Sequence, residues 1–373
     1  MKNLILASFM ALLFITSCEK DIIPEIPGEE PEKPYVQVPI VEGRVVVAYV
    51  TYWGKTIPDA NLFTHIHYSF AELYMRDGIY QGFKLQGNED RFRQIVNLKK
   101  QFPNLKISIS FTHIVDNPDN IQGGSFSALA KSDAQRKAFA ADCKAFIETW
   151  GIDGIDIDWE FPGISWSGAA SDPTVDTYNH TLLIKELRET LGNDYLLTYA
   201  GYIKDKVAAS GGFKFIDVKA VDQYVNFVNL MTYNMDAAPK SHSALSDSRA
   251  YWDCVRTVAA YHTAGVAYSK MVLGIPFYGQ HSFSEKPTSL NYSTIIGLDK
   301  TQYKIDNWDP ISNTPYVTKN GVFFCGYDNP KSIEIKGKWA MPLGLKGMMY
   351  WQYDGDDSQG TLRKATWNAV MAN

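Results

Sequence analysis

Eight short runs of β-branched and apolar residues, separated by longer polar or helix-patterned stretches, constrain this chain more than any other feature. They are Val45–Val50, His65–Phe70, Lys106–Phe111, Gly154–Asp158, Tyr195–Ala200, Phe227–Thr232, Met271–Ile275 and Gly347–Trp351. Several are apolar on successive residues, the pattern of strands covered on both faces. Between the third and fourth runs, Ala134–Trp150 places Ala138, Phe139, Ala141, Cys143, Phe146 and Ile147 on a helical period. Tyr178–Leu191 and Ser248–Ala264 read the same way. Strands alternating with helices define an α/β chain with a parallel sheet. Eight of them suit closure into a (β/α)8 TIM barrel, although an open doubly wound sheet satisfies the same periodicity. From about 280 to 329 the rhythm fails. Thr288, Tyr292, Thr294, Tyr303, Tyr316, Val317, Val322 and Phe323 suggest a small β-rich insertion between the last two strands.

The N-terminus reads as an address. Lys2 precedes an apolar run, Leu4–Ile15, that ends in Thr16-Ser17-Cys18. The run is too short for a spanning helix and reads as a signal peptide. Residues 1–18 are expected to form a lipoprotein leader, with Cys18 resembling the acylated cysteine of a bacterial lipobox. Residues 19–41 hold Pro24, Pro27, Pro31, Pro34 and Pro39 among Glu25, Glu29, Glu30 and Glu32, a composition that extends rather than folds. An acidic stretch behind the cysteine resembles a surface-export signal. The expectation is therefore a monomer anchored by lipid in the outer membrane, facing the cell surface or the periplasm. Residues 42–373 suffice for one large domain. A net charge of −5 without a basic run argues against nucleic acid as a partner. Cys143, Cys254 and Cys325 are too sparse for a disulfide scaffold, and no spacing suits zinc or a phosphate loop. No metal or cofactor is expected.

The stretch Gly151-Ile-Asp-Gly-Ile-Asp-Ile-Asp-Trp-Glu-Phe-Pro162 carries the chemistry. Strand side chains alternate faces, so Asp156, Asp158 and Glu160 point one way and Ile155, Ile157 and Trp159 the other. Successive acids then stand roughly 7 Å apart. Like charges held so close in a barrel repel, which favours a shared proton and at least one raised carboxyl pKa, as a general acid needs. A solvated edge strand or a cation site would also be acidic. An edge strand would seldom put isoleucines and a Trp on its other face, and a Ca²⁺ or Mg²⁺ loop spreads its ligands around a turn. Asp153 has the opposite parity and reads as structural, tying the strand entry to a neighbour.

The pattern Asp153-x-x-Asp156-x-Asp158-x-Glu160 resembles the signature of family-18 glycoside hydrolases, and Trp159 with Phe161-Pro162 is similar to the chitinase branch. Collinear matches run from Ala48-Tyr49-Val50-Thr51-Tyr52-Trp53-Gly54 through Thr64–Ala71, Lys106-x-x-x-Ser110, Met231-Thr232-Tyr233-Asn234 and Gly274–Gly279 to Gly347–Trp351. The resemblance implies the closed barrel. It also implies retaining hydrolysis of β-1,4-linked N-acetylglucosamine polymers or oligomers, with the substrate's own acetamide as nucleophile. In that scheme Glu160 donates the proton, Asp158 holds the acetamide, Asp156 shares a proton with Asp158, and Tyr233 fixes the acetamide oxygen. Trp351 would floor the sugar. Tyr49, Phe70, Met231, Asn234 and Tyr278 would line the substrate and Ser110 would support the acids, while Trp53 and Trp166 are further subsite candidates or ordinary aromatics. Two positions depart from the family: Thr112-His113 replaces Gly-Gly, and Asn234 replaces Asp. Losing that charge is expected to move the basic limb of the pH–rate profile toward acid. The short insertion suggests a shallow cleft and endo-acting or oligosaccharide-trimming behaviour. Two alternatives stay open: an endo-β-N-acetylglucosaminidase acting on N-glycans, and a sugar-binding lectin without catalysis.

Overall fold

The computed structural model describes residues 35–164, 170–202 and 215–372. The leader with Cys18, most of the tether and Trp166 lie outside them. The compact unit that begins at Val38 contains everything described below.

All eight anticipated runs are strands, and they are parallel: β1 (Val45–Thr51), β2 (His65–Arg76), β3 (Lys106–Thr112), β4 (Gly154–Asp158), β5 (Leu196–Gly201), β6 (Phe227–Leu230), β7 (Met271–Pro276) and β8 (Gly347–Trp351). Each pairs with the next, and β8 pairs back onto β1 through Val45↔Gly347 to Ala48↔Tyr350, so the sheet is a closed (β/α)8 TIM barrel rather than an open one. Closure depends on a glycine. A Cβ at Gly347 would lie 1.8 Å from the Val45 carbonyl oxygen, so no side chain fits there.

Helix Asp133–Trp150 is N-capped by Ser132 and ends at Gly151 in the left-handed region, which is why β4 begins where the sequence pattern puts it. Its Phe139, Cys143 and Ile147 are fully buried. The helix expected from Ser248 starts at Cys254, because Asp253 caps it by accepting from the Arg256 N–H at 2.7 Å. Strand β6 stops at Leu230, two residues early. The Thr232 hydroxyl donates to the Gly274 carbonyl at 2.7 Å and turns the chain toward the barrel mouth.

Two β features surround the ring. Strand β2 runs on to Arg76 and folds back through Asp77-Gly78, both at positive φ, into Ile79–Leu85. An Asp-Gly pair is the usual turn of such a hairpin. The insertion is a five-stranded antiparallel sheet in the order Ser289–Asn291, Tyr278–Gln280, Val322–Gly326, Thr314–Lys319, Tyr303–Asp309. It starts directly after β7, so Tyr278 stays at the barrel mouth.

Candidate active site

Exposure along β4 rises toward its C-terminal end. Asp156 is fully buried, Asp158 is 6% exposed, and Glu160 reaches the cleft. On the opposite parity, Ile155 and Ile157 are buried against the helical layer, and Trp159 stacks on Phe126 at 5.4 Å. Asp153 binds Lys99, Lys106 and the Ile107 N–H at the strand entry, the structural role its parity suggested.

Asp156 lies at the barrel axis without a Lys or Arg partner among the described residues. Its carboxyl oxygens are met by neutral donors from four other strands. Tyr49 Oη and Ser110 Oγ donate to Oδ2 at 3.0 and 2.8 Å; Thr198 Oγ1 and Asn229 Nδ2 donate to Oδ1 at 2.6 and 3.3 Å. The register pairs Ser110↔Asp156↔Thr198, so β3 and β5 deliver their hydroxyls by alternation alone. Thr198, Asn229 and His67 went unnoticed in the sequence. Their signal was an inward polar residue inside an apolar run, which is costly unless partnered.

Above the acids, Tyr233 is buried, and burial, followed by the charges of Tyr278, Asp158, Glu160 and Asp156, pushes its phenol well above the ordinary value. It therefore keeps its proton and can act as a donor. Trp351 is half-buried and forms the cleft floor with Phe70 stacked at 5.7 Å, Tyr49 edge-on at 5.6 Å and Trp53 at 6.3 Å. Tyr49 and Phe70, expected against the substrate, are 2% and 8% exposed. They touch the cleft, but the hydroxyl of one is engaged by Asp156 and the ring of the other backs Trp351. The peptide bonds Ser69–Phe70, Glu160–Phe161 and Trp351–Gln352, at or beside this site, are cis.

Glu160, Met231, Tyr233 and Asn234 line two adjoining recesses. One holds Asp158, Tyr233, Met231, Trp351 and Trp53, with Gln86 and Asp116 on its wall. The other holds Phe161, Tyr202, Met231, Asn234 and Phe283, whose ring is 60% exposed. Asn234 sits at φ 54°, a conformation that Asn tolerates better than most residues, and its Oδ1 accepts from Tyr278 Oη at 2.8 Å. Its backbone carbonyl accepts from Tyr202 Oη at 2.6 Å. Phe283, Tyr202, Gln86 and Asp116 were missed by sequence reasoning because they sit on loops without periodicity.

His113 has a definite place. Its Nδ1 accepts the Glu160 N–H at 3.4 Å and lies 3.5 Å from the Asp158 carbonyl oxygen. The imidazole thus braces the backbone that carries the acids. The next turn is organised by Glu72, a buried carboxylate that accepts from Gln86 Nε2, Asn120 Nδ2 and the Asp116 and Asn117 N–H groups.

A closed parallel barrel with an acidic strand opening into an aromatic cleft at the C-terminal strand ends is the architecture of a barrel enzyme. Residues 45–356 match the family described as Glycosyl hydrolases family 18, and the chain belongs to that family. It is 27% identical to Chitinase C of Streptomyces lividans over 85% of this chain and 58% of that protein. It is 29% identical to Chitinase 63 of Streptomyces plicatus over 74% and 47%, so the chain spans about half the length of these two relatives. Mouse chitotriosidase-1 is 25% identical, over 85% of this chain and 74% of that protein. Among solved structures, a family-18 N-acetylglucosaminidase from Paenibacillus barengoltzii superimposes with a TM-score of 0.72 at 26% identity, covering 88% of this chain and all of that one. Chitinase ChiA74 from Bacillus thuringiensis shares the fold with a TM-score of 0.74 at 22% identity, over 88% of this chain and 70% of that one.

Proposed function

We propose that this protein is a glycosidase that cleaves β-1,4-linked N-acetylglucosamine oligomers or polymers by a retaining, substrate-assisted route. The observation that carries this reading is that Glu160 lines both recesses, with Asp158 and Trp351 in one, Phe161, Tyr202 and Phe283 in the other, and Tyr233 shared between them. A sugar on the Trp351 side would present its apolar face to the indole. Its 2-acetamido group would lie between Asp158 and Tyr233. The acetamide oxygen attacks the anomeric carbon as the glycosidic C–O bond breaks, and Glu160 gives its proton to the leaving oxygen. General acid help of this kind contributes on the order of 10²–10⁴-fold. The ring of the resulting oxazolinium carries positive charge, which the Asp158 carboxylate faces. Water then attacks the anomeric carbon, returns a proton to Glu160 and reopens the acetamide. Intramolecular attack replaces a second carboxylate nucleophile, so one acid suffices.

The relatives' names support the substrate class, and the likeness to an N-acetylglucosaminidase along its whole length supports trimming of oligomers. The small insertion sheet supports an open cleft and endo-acting or oligosaccharide-trimming use. For the chain as a whole we propose a leader of residues 1–18, lipid attachment at Cys18, a tether of residues 19–41 and display of residues 42–373 at the outer membrane.

Mass spectrometry of products from chitooligosaccharides, their de-N-acetylated counterparts and a high-mannose glycoprotein tests the reading. Cleavage of the first alone is expected, with the β-anomer appearing first by NMR. Glu160→Gln should bind chitooligosaccharide and not cut it. Cleavage of the glycoprotein alone would establish the N-glycan reading, and binding without hydrolysis by the wild type would establish the lectin.

A further inference from the structure

Beneath the acids lies a buried histidine that the mechanism above does not use. His67 points from β2 to the barrel axis and is fully buried. Its Nε2 lies 3.0 Å from Asn229 Nδ2, 3.3 Å from Thr198 Oγ1 and 3.8 Å from Asp156 Oδ1. Among the described residues Asn229 Oδ1 has no hydrogen-bond partner, and His67 Nδ1 has only the Ile66 backbone of its own strand beside it. A buried atom left so is costly, so the neighbours of the Asn229 amide impose its orientation.

The distances restrict how protons are arranged. Asn229 Nδ2 carries two hydrogens and has two acceptors within reach, His67 Nε2 and Asp156 Oδ1. If His67 Nε2 bore a hydrogen, it would face the amide's N–H. Thr198 Oγ1 at 3.3 Å could accept that hydrogen, but the 3.0 Å contact with the amide would be relieved only by turning Asn229, whose oxygen would then stand about 3.3 Å from Asp156 Oδ1. Two acceptors meet there without repulsion only if Asp156 is protonated. With the amide in this orientation, the lone pair of His67 Nε2 and a negative charge on Asp156 support each other, with Asn229 as the link.

We infer that His67 is a positioning residue for Asp156: it locks Asn229 as a donor, so Asp156 stays a carboxylate and the proton of the acidic trio sits higher, on Asp158 or Glu160. The consequence for turnover rests on the glycosidase reading above; the protonation of Asp156 does not. Other titratable groups face this pair from every side. Tyr49 lies edge-on to the imidazole at 5.1 Å from β1, His65 precedes it on β2, and Asp158, Glu160 and Tyr233 stand above. Phe227 of β6 closes the far face at 6.2 Å. Burial lowers the affinity of His67 for a proton, and the opposing pull of Asp156 does not cancel it. A neutral imidazole is consistent with this arrangement.

The test compares His67→Met, His67→Gln, Asn229→Leu and the double variant His67→Met/Asn229→Leu, each first checked for its melting temperature. Gln can offer its amide oxygen near the place of Nε2, and Met cannot. With ¹³C-labelled aspartate, and Asp156→Asn for assignment, the Asp156 carboxyl should titrate at least about one pH unit higher in His67→Met and Asn229→Leu, about a tenfold change in its proton affinity. It should stay near the wild-type midpoint in His67→Gln. The acidic limb of kcat should move up with it in the first two variants, kcat should fall about tenfold, and KM should change little. The double variant should be no worse than Asn229→Leu, since His67 acts through that amide. A folded His67→Met with the wild-type Asp156 titration overturns the proposal, as does a His67→Gln as impaired as His67→Met. If His67→Met does not fold, Asn229→Leu and His67→Gln decide it in the same way. Wild-type protein that hydrolyses no glycan would sink the enzyme reading alone, because the carboxyl titration needs no substrate.

Discussion

Arg91 and Asp354 meet beneath Gly54, Nη2 to Oδ2 at 3.6 Å, and between them they hold the backbone on both sides of Trp53. Arg91 donates to the carbonyls of Thr51 and Thr56 at 2.9 and 3.1 Å. Asp354 Oδ1 accepts from the Thr56 N–H at 3.2 Å and its hydroxyl at 2.7 Å. A Cβ on Gly54 would fall 2.2 Å from Asp354 Oδ2, so the loop can sit on the pair only with glycine there. Asp354 follows Trp351 by three residues, so one ion pair sets the distance between two cleft tryptophans.

Arg91→Ala is therefore expected to loosen Trp53 and leave the acids untouched. For substrates long enough to reach Trp53, KM should rise roughly threefold to tenfold, the range for one aromatic contact worth about 1 kcal/mol. The shortest cleavable oligomer should be unaffected. Steady-state kinetics over a ladder of chitooligosaccharide lengths checks this; an equal loss at every length would place the effect on the acids instead.

Asn234→Asp puts a negative charge into the recess beside Glu160. The group that must give up a proton then holds it more tightly. The basic limb of kcat/KM is expected to move to higher pH by a few tenths of a unit to about one unit, with little change on the acidic side. Asp tolerates the positive φ of this position, so folding should not interfere. A pH–rate profile of both proteins decides it, and coincident basic limbs would exclude the effect.

His113→Gly removes the acceptor for the Glu160 N–H. A weak hydrogen bond of this length contributes of order 0.5–1 kcal/mol, and the added backbone freedom costs a similar amount. The expected result is a kcat lowered about twofold to tenfold with KM nearly constant. Single-turnover rates separate this from slower product release.

How much of this was legible beforehand depends on what each residue answers to. The barrel strands could be read because a run such as Val45–Val50 is buried on both faces and needs no distant partner to be recognised. Asp156, Asp158 and Glu160 could be read because alternation alone sets their common face. The Asp156 donors could not, since Thr198 and Asn229 matter only through a register that joins residues 42 and 73 positions apart. Loop contributions such as Phe283 and Asp116 have no period at all. Tyr49 and Phe70 show the reverse case: the motif marked them, and only coordinates reveal that one serves a carboxylate and the other an indole.

His242 links the cleft to acid stability. It is fully buried, its Nδ1 accepts the Asn234 N–H at 3.2 Å, and burial, aided by Lys336 and opposed by Asp328, brings its pKa down to about 3. In the unfolded chain the same imidazole titrates near its ordinary value of about 6.5. Between those values the unfolded state binds a proton that the folded state refuses, so stability is full above about pH 6.5 and is lost as the pH falls toward 3. One unit of this difference corresponds to about 1.4 kcal/mol, and a loss of a few kcal/mol by pH 4 is the expected order. Urea denaturation at pH 7, 5.5 and 4 should show it in the wild type. His242→Asn, which can still accept from the Asn234 N–H but does not titrate in this range, should start less stable at pH 7 and lose less on acidification. Parallel losses in both proteins would assign the acid sensitivity to the carboxylates instead.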